Sequence, residues 1–174
     1  MTKTLYKTNL IIFGGDGDLA FRKIFPAIYY RVKGNQLITE TNIIVVSRNT
    51  NDVNSFFTLL EEHLTLHIPD LEKSILEKIK NMLSYLKMDL TDSKDYIVLA
   101  KELAQKKMEQ DVFYYSTSST LFGTISKYLA ENGIINEASK IVLEKPLGSD
   151  LNTFEQLNKD VRKYFEEKQI YRID

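Results

Sequence analysis

Asn9-Leu10-Ile11-Ile12-Phe13 runs directly into Gly14-Gly15-Asp16-Gly17-Asp18-Leu19-Ala20. The first five residues, mostly branched and aromatic, read as a buried strand that the glycines end in a tight turn. From Gly15 the turn satisfies G-x-G-x-x-A; from Gly14 it satisfies G-x-x-G-x-x-A. In either frame glycine lets a pyrophosphate approach the backbone closely and meet free amides at a helix N-terminus. Ala20 is small enough to keep that helix against the sheet. Strand, glycine turn and helix in this order predict a dinucleotide-binding unit. The loop also carries two carboxylates. Asp18 reads as the helix N-cap, whereas Asp16 beside a pyrophosphate is repulsive unless it turns outward or bonds a ribose hydroxyl.

The same alternation continues to the end of the chain. Short apolar runs predict further strands at Ile43 to Ser47, Ser84 to Met88, Val112 to Ser116, Lys140 to Leu143 and Ile170 to Ile173. Amphipathic stretches predict helices at Leu19 to Lys33, Val53 to Leu64, Leu71 to Leu83, Lys94 to Met108, Thr120 to Glu131 and Leu151 to Phe165. Asp92 or Ser93, Ser118 or Ser119, and Asp150 stand where N-caps belong, and Gly133 where a C-terminal cap belongs. In the third helix Leu71, Ile75, Ile79, Met82 and Leu83 form one apolar stripe. The fold class that follows is α/β: a Rossmann-type, doubly wound, mainly parallel sheet of six strands in order 3-2-1-4-5-6, with helices on both faces.

Composition sets limits on partners. The chain has 174 residues with 23 basic and 24 acidic side chains, a formal charge of -1 and no cysteine. That length suits one domain spanning residues 1–174. Balanced charge argues against nucleic acid as the main partner. Without cysteine there is no disulfide, iron-sulfur cluster, thiolate zinc or cysteine nucleophile, and a cytoplasmic location fits. No apolar run reaches the roughly 20 residues of a membrane span, and Leu10 to Phe13 is too short for the core of a signal peptide.

The other strand ends carry the chemistry. Val45-Val46-Ser47-Arg48-Asn49 closes the second strand, where an acid would select NAD; Arg48 instead suits the 2′-phosphate of NADP, with Ser47 adding a hydroxyl. Leu143-Glu144-Lys145-Pro146 closes the fifth strand and sends Lys145 into the ligand crevice. No G-x-x-x-x-G-K-[ST] is present. His63 and His67 lack an H-E-x-x-H context and read as surface residues, so no metal site is expected. Tyr29 with Lys33 and Tyr164 with Lys168 have the Tyr-x-x-x-Lys spacing of short-chain dehydrogenases, but in the first and last helices rather than after the fourth strand.

Gly14 to Ala20, Arg22-Lys23-Ile24-Phe25-Pro26, Arg48, Val142-Leu143-Glu144-Lys145-Pro146-Leu147-Gly148 and Ile170-Tyr171-Arg172-Ile173-Asp174 together resemble the glucose-6-phosphate 1-dehydrogenase family. The resemblance spans the whole chain in order. It implies that Gly14, Gly15, Asp16, Gly17, Asp18 and Leu19 form the NADP pyrophosphate loop, that Arg48 holds the 2′-phosphate, and that Asp89 and Leu90 line the adenosine site. It further implies that Lys23 and Lys145 reach the nicotinamide and sugar-phosphate side, with Pro146 as a hinge, and that Asp174 orients a catalytic histidine. Phe21 stands where a basic residue is usual, and Ser118-Ser119 where prolines are usual; the first removes a charge near the phosphates and the second leaves a less rigid loop.

In that family a histidine takes the proton of the sugar C1 hydroxyl as hydride passes to the nicotinamide. The resemblance implies that this base lies in a large α+β substrate and dimerisation domain absent from this chain. The expectation is a cytoplasmic coenzyme domain that binds NADP, with NAD as a possible second coenzyme, and does not turn over glucose 6-phosphate by itself. It is expected to be monomeric, while full-length members of the family are oligomeric. The alternative is a noncatalytic dinucleotide-binding or interaction module.

Overall fold

The computed structural model describes residues 6–37, 40–50, 52–145, 147 and 150–174. Six parallel strands form one sheet: β1 (Thr8–Phe13), β2 (Thr41–Ser47), β3 (Leu83–Lys87), β4 (Gln110–Tyr115), β5 (Lys140–Glu144) and β6 (Ile170–Ile173). Their order is β3-β2-β1-β4-β5-β6, the doubly wound order expected from the sequence. In-register pairs such as Ile11 with Ile44 and with Phe113 put apolar residues side by side across the sheet centre.

Alternate residues of the central strands feed two cores. Ile12, Ile43 and Val45 face α1 (Phe25–Lys33), α2 (Val53–His67) and α3 (Lys73–Met82). Ile11, Phe13, Ile44, Val46, Phe113 and Leu143 face α4 (Tyr96–Gln105), α5 (Phe122–Glu131) and α6 (Leu151–Val161). Because both faces are covered, the central strands are apolar on both sides from Leu10 to Phe13 and from Ile43 to Val46, which is why these stretches read as unbroken runs. No described helix is long and apolar enough to cross a membrane.

Several helix ends carry the predicted caps. Asp92 accepts from the Lys94 amide, Ser118 from the Thr120 amide, and Asp150 forms a capping box with Thr153. Gly133, at φ +66, ends α5: its amide donates to Ala130 O and the Ile134 amide to Leu129 O. This is the paired bonding of a Schellman motif.

Several expectations need correction. The first helix is not uniform: Ala20–Ile24 form a π-turn before α1 begins. Asp18 does not cap it, because its carboxylate turns to Arg22 at 3.3 Å, one helical turn on. Phe21 is buried against Phe25, Phe56 and His63, so it belongs to the core rather than to a phosphate site. His63 is accordingly half-buried, stacked on Phe21 with ring centroids 4.2 Å apart, and only His67 is a surface residue. The Ser118-Ser119 loop is ordered by hydroxyls: Ser118 and Thr120 share a hydrogen bond of 2.9 Å, and a short 3-10 turn follows.

Candidate functional site

The strand order reverses between β1 and β4, and a cleft opens there beyond the carboxyl ends of the strands. Its floor is the glycine turn. Gly14 has φ +75, and its amide donates to Val46 O at 2.8 Å. A Cβ on Gly14 would lie 2.4 Å from the Ser116 carbonyl oxygen, so backbone of β2 and of the β4 exit closes on this residue from both sides. At Gly15 a Cβ would lie 2.7 Å from Val45 Cγ1. That glycine serves packing against the sheet and does not line the cleft. The Gly17 amide returns to Gly14 O at 3.0 Å, which closes the turn.

The cleft has a volume of about 400 Å³. Gly14, Asp16 and Gly17 form one wall, and Ser47, Arg48 and Asn49 at the exit of β2 form the next. Met88, Asp89, Leu90 and Thr91 follow from β3, and Ser116, Thr117 and Leu121 from β4. Asp89 is held in place: one carboxylate oxygen accepts from the Thr91 amide at 2.9 Å and the Thr91 hydroxyl at 2.7 Å. These bonds, with the charge of Arg48 as a smaller contribution, hold the Asp89 carboxyl below the usual carboxylate range. Ser116 is buried, and its hydroxyl has no partner among the described residues. Asp16 likewise has no ion-pair or hydrogen-bond partner among them.

A second polar cluster sits at the ends of β5 and β6. The Lys23 ammonium reaches Glu144 at 3.2 Å, and the Tyr114 hydroxyl donates to the other oxygen of Glu144 at 3.2 Å. Burial and the Glu144 carboxylate push the Tyr114 phenol up to about 12. The Lys145 amide donates to Ile173 O at 3.1 Å, and its ammonium forms an ion pair with Asp174. Pro146 lies outside the described residues.

Of the residues singled out in the sequence, Gly14, Asp16, Gly17, Arg48, Asp89 and Leu90 therefore meet in one cleft. Gly15 lies behind it, and Asp18 and Leu19 are not part of its lining. Lys23, Lys145 and Asp174 gather instead at the β5 and β6 ends. Asn49, Thr91, Ser116, Thr117 and Leu121 were not anticipated. Their only signal in the sequence is position, at the end of a predicted strand or within five residues after it. No three described His, Asp or Glu side chains are grouped as metal ligands.

A family model described as "Glucose-6-phosphate dehydrogenase, NAD binding domain" matches residues 11–174. The glucose-6-phosphate 1-dehydrogenase of Mycolicibacterium smegmatis is 36% identical over 172 residues, covering 95% of this chain and 35% of its own. That of Dickeya dadantii is 31% identical over 175 residues, covering 100% of this chain and again 35% of its own. The crystal structure of glucose-6-phosphate 1-dehydrogenase from Mycobacterium avium superposes with a TM-score of 0.88 at 28% identity, over 96% of this chain and 36% of that one. The chain thus spans about a third of the length of the curated relatives it matches.

Proposed function

This chain belongs to the glucose-6-phosphate dehydrogenase family, as its NAD(P)-binding domain, and from that premise we propose that it holds NADP for the oxidation of glucose 6-phosphate to the lactone. The observation that carries the proposal is the cleft itself, a glycine turn with no room for a side chain at Gly14, facing Arg48 at the end of β2. When bound, the coenzyme would supply the hydride acceptor for the sugar C1, and the residues of the cleft would hold it. Gly14 and Gly17 bring bare backbone to the cleft wall, where a pyrophosphate can approach it closely.

Arg48 is the one cation among the described lining residues, and it offers a planar fork to a 2′-phosphate. Leu90 and the fixed Asp89 give the adenosine a wall with an apolar and a polar part. The unpartnered Ser116 hydroxyl is a further donor against the glycine turn. Lys23, Lys145 and Asp174 belong to the nicotinamide and substrate side. Asp174 is available there to orient a histidine base, and neither His63 nor His67 lines the cleft. The base, the rest of the sugar-phosphate site and the family's oligomer contacts are assigned to an α+β domain outside residues 1–174.

Calorimetric titration of residues 1–174 with NADP and NAD tests this reading. NADP is expected to bind more tightly than NAD. Arg48→Ala should weaken NADP by about tenfold or more, the size of one charge-assisted contact. Asp16→Ser should strengthen both coenzymes by removing a carboxylate from the pyrophosphate side. Glucose 6-phosphate with NADP should give no reduced coenzyme with these residues alone. A folded chain that binds neither nucleotide, or an Arg48→Ala protein with unchanged affinity, would overturn the assignment.

A further inference from the structure

The Lys23–Glu144 contact joins side chains 121 residues apart, one after β1 and one at the end of β5. It therefore ties the two halves of the doubly wound sheet together at the carboxyl ends of the strands. Its geometry depends on the π-turn at Ala20–Ile24. One π-turn adds a residue to the helical repeat, which rotates the side chains on either side of it by about 100° relative to an unbroken α-helix. In this register Phe21, Ile24 and Phe25 stay in the core while Lys23 crosses to β5.

The two partners are not equivalent. The Glu144 side chain is 8% exposed and that of Lys23 is 65% exposed. The carboxylate is the fixed member, held on its other oxygen by the Tyr114 hydroxyl from the adjacent strand. Tyr114 remains protonated at neutral pH, since burial and Glu144 push its phenol up to about 12. Lys23 is the exposed member, a long side chain whose one polar contact among the described residues is this carboxylate. Lys145, the residue after Glu144, has its amide bound to Ile173 O and its ammonium on Asp174.

We propose that Glu144, steadied by Tyr114, is a positioning residue that holds Lys23 over the ends of β4 and β5 and so shapes the nicotinamide side of the coenzyme crevice. The inference rests on the coenzyme reading above. Arg48 and Asp89 stand at the β2 and β3 ends, so a dinucleotide anchored there extends its other half across β1 toward β4 and β5. Lys23 reaches that half only while Glu144 keeps it there.

The test compares NADP with adenosine 2′,5′-bisphosphate, which keeps the Arg48 contact and lacks the nicotinamide half. Glu144→Gln preserves shape and an acceptor for Tyr114 while removing the charge. It should weaken NADP by about fivefold to tenfold, the scale of one lost charged contact, and leave the bisphosphate unchanged. Glu144→Asp should recover part of the loss, and the Tyr114 phenol should titrate lower in Glu144→Gln. Lys23→Gln, at an exposed position, should reproduce the selective loss and covers the case in which Glu144→Gln does not fold. Equal weakening of both ligands, or no weakening of either, would overturn the proposal. Failure of the unsubstituted chain to bind the bisphosphate would instead overturn the coenzyme reading, and this inference with it.

Discussion

Gly14 is the residue on which the cleft depends most directly. An alanine there must keep φ near +75 and place its Cβ 2.4 Å from a backbone oxygen, which no side-chain rotation relieves. Gly14→Ala is expected to cost about 1–3 kcal/mol in chemical denaturation and to abolish coenzyme binding in the same sample. A variant of parental stability that still binds would show that the turn tolerates a side chain. Asp111, at the other end of β4, gives a different kind of prediction. Burial raises its carboxyl above the usual carboxylate range, against the opposing bond from Asn9. A raised acid stabilises the fold fully below its unfolded pKa and loses that contribution as pH rises through the folded one. At neutral pH the half-buried Asp111 carboxyl is therefore a net cost. Asp111→Asn, which keeps the acceptor for Asn9, should melt higher than the parent at neutral pH, with the gap closing in acid. A gap that widens in acid would reverse the assignment.

Elements were legible in the sequence where one physical signal dominated. The buried strands are runs of branched residues, and all six lie within two residues of their expected bounds. Asp150 illustrates a cap read correctly: its carboxylate accepts from the Thr153 amide at 2.9 Å, while Thr153 Oγ1 accepts from the Asp150 amide at 3.1 Å. Asp150→Ala should lower stability by about 1 kcal/mol in urea unfolding, and Asp150→Ser should restore most of it. The π-turn was not legible, because Ala20, Phe21, Ile24 and Phe25 are all apolar and satisfy a buried face in either hydrogen-bonding register. For the same reason nothing in the composition pointed Lys23 at Glu144. Short 3-10 turns at Ser93–Asp95 and Ser119–Leu121 likewise displaced helix starts that the caps themselves had marked. In the cleft, glycine, Arg48 and Asp89 were readable from motif and address, whereas Ser116, Thr117 and Thr91 look in sequence like ordinary turn residues.

At the scale of the molecule, the described residues form one six-stranded sheet with two packed cores. Tyr171 and Ile173 on the edge strand β6 remain 46% and 36% exposed. Sedimentation is expected to show a monomer at low micromolar concentration that self-associates as concentration rises; a discrete tight dimer there would contradict this. The end of the sheet opposite the cleft has its own organisation. Asn9 is fully buried, and its side chain accepts from Asn42 at 2.9 Å and donates to Asp111 and to Lys106 O, both at 2.8 Å. Asn42, Asn9 and Asp111 are direct partners across β2, β1 and β4. Parallel strands made of near-interchangeable Ile and Val can pair in several alignments that keep their faces but shift by two residues. A slip of that size toward the carboxyl ends would set Asn9 against Ile44 of β2 and Phe113 of β4 and leave its buried amide unbonded, a penalty of about 1–3 kcal/mol for each stranded group. The asparagine rung thus acts as an alignment mark: it discriminates among pairings that hydrophobicity alone cannot tell apart, and so brings the strand ends that form the cleft to one level.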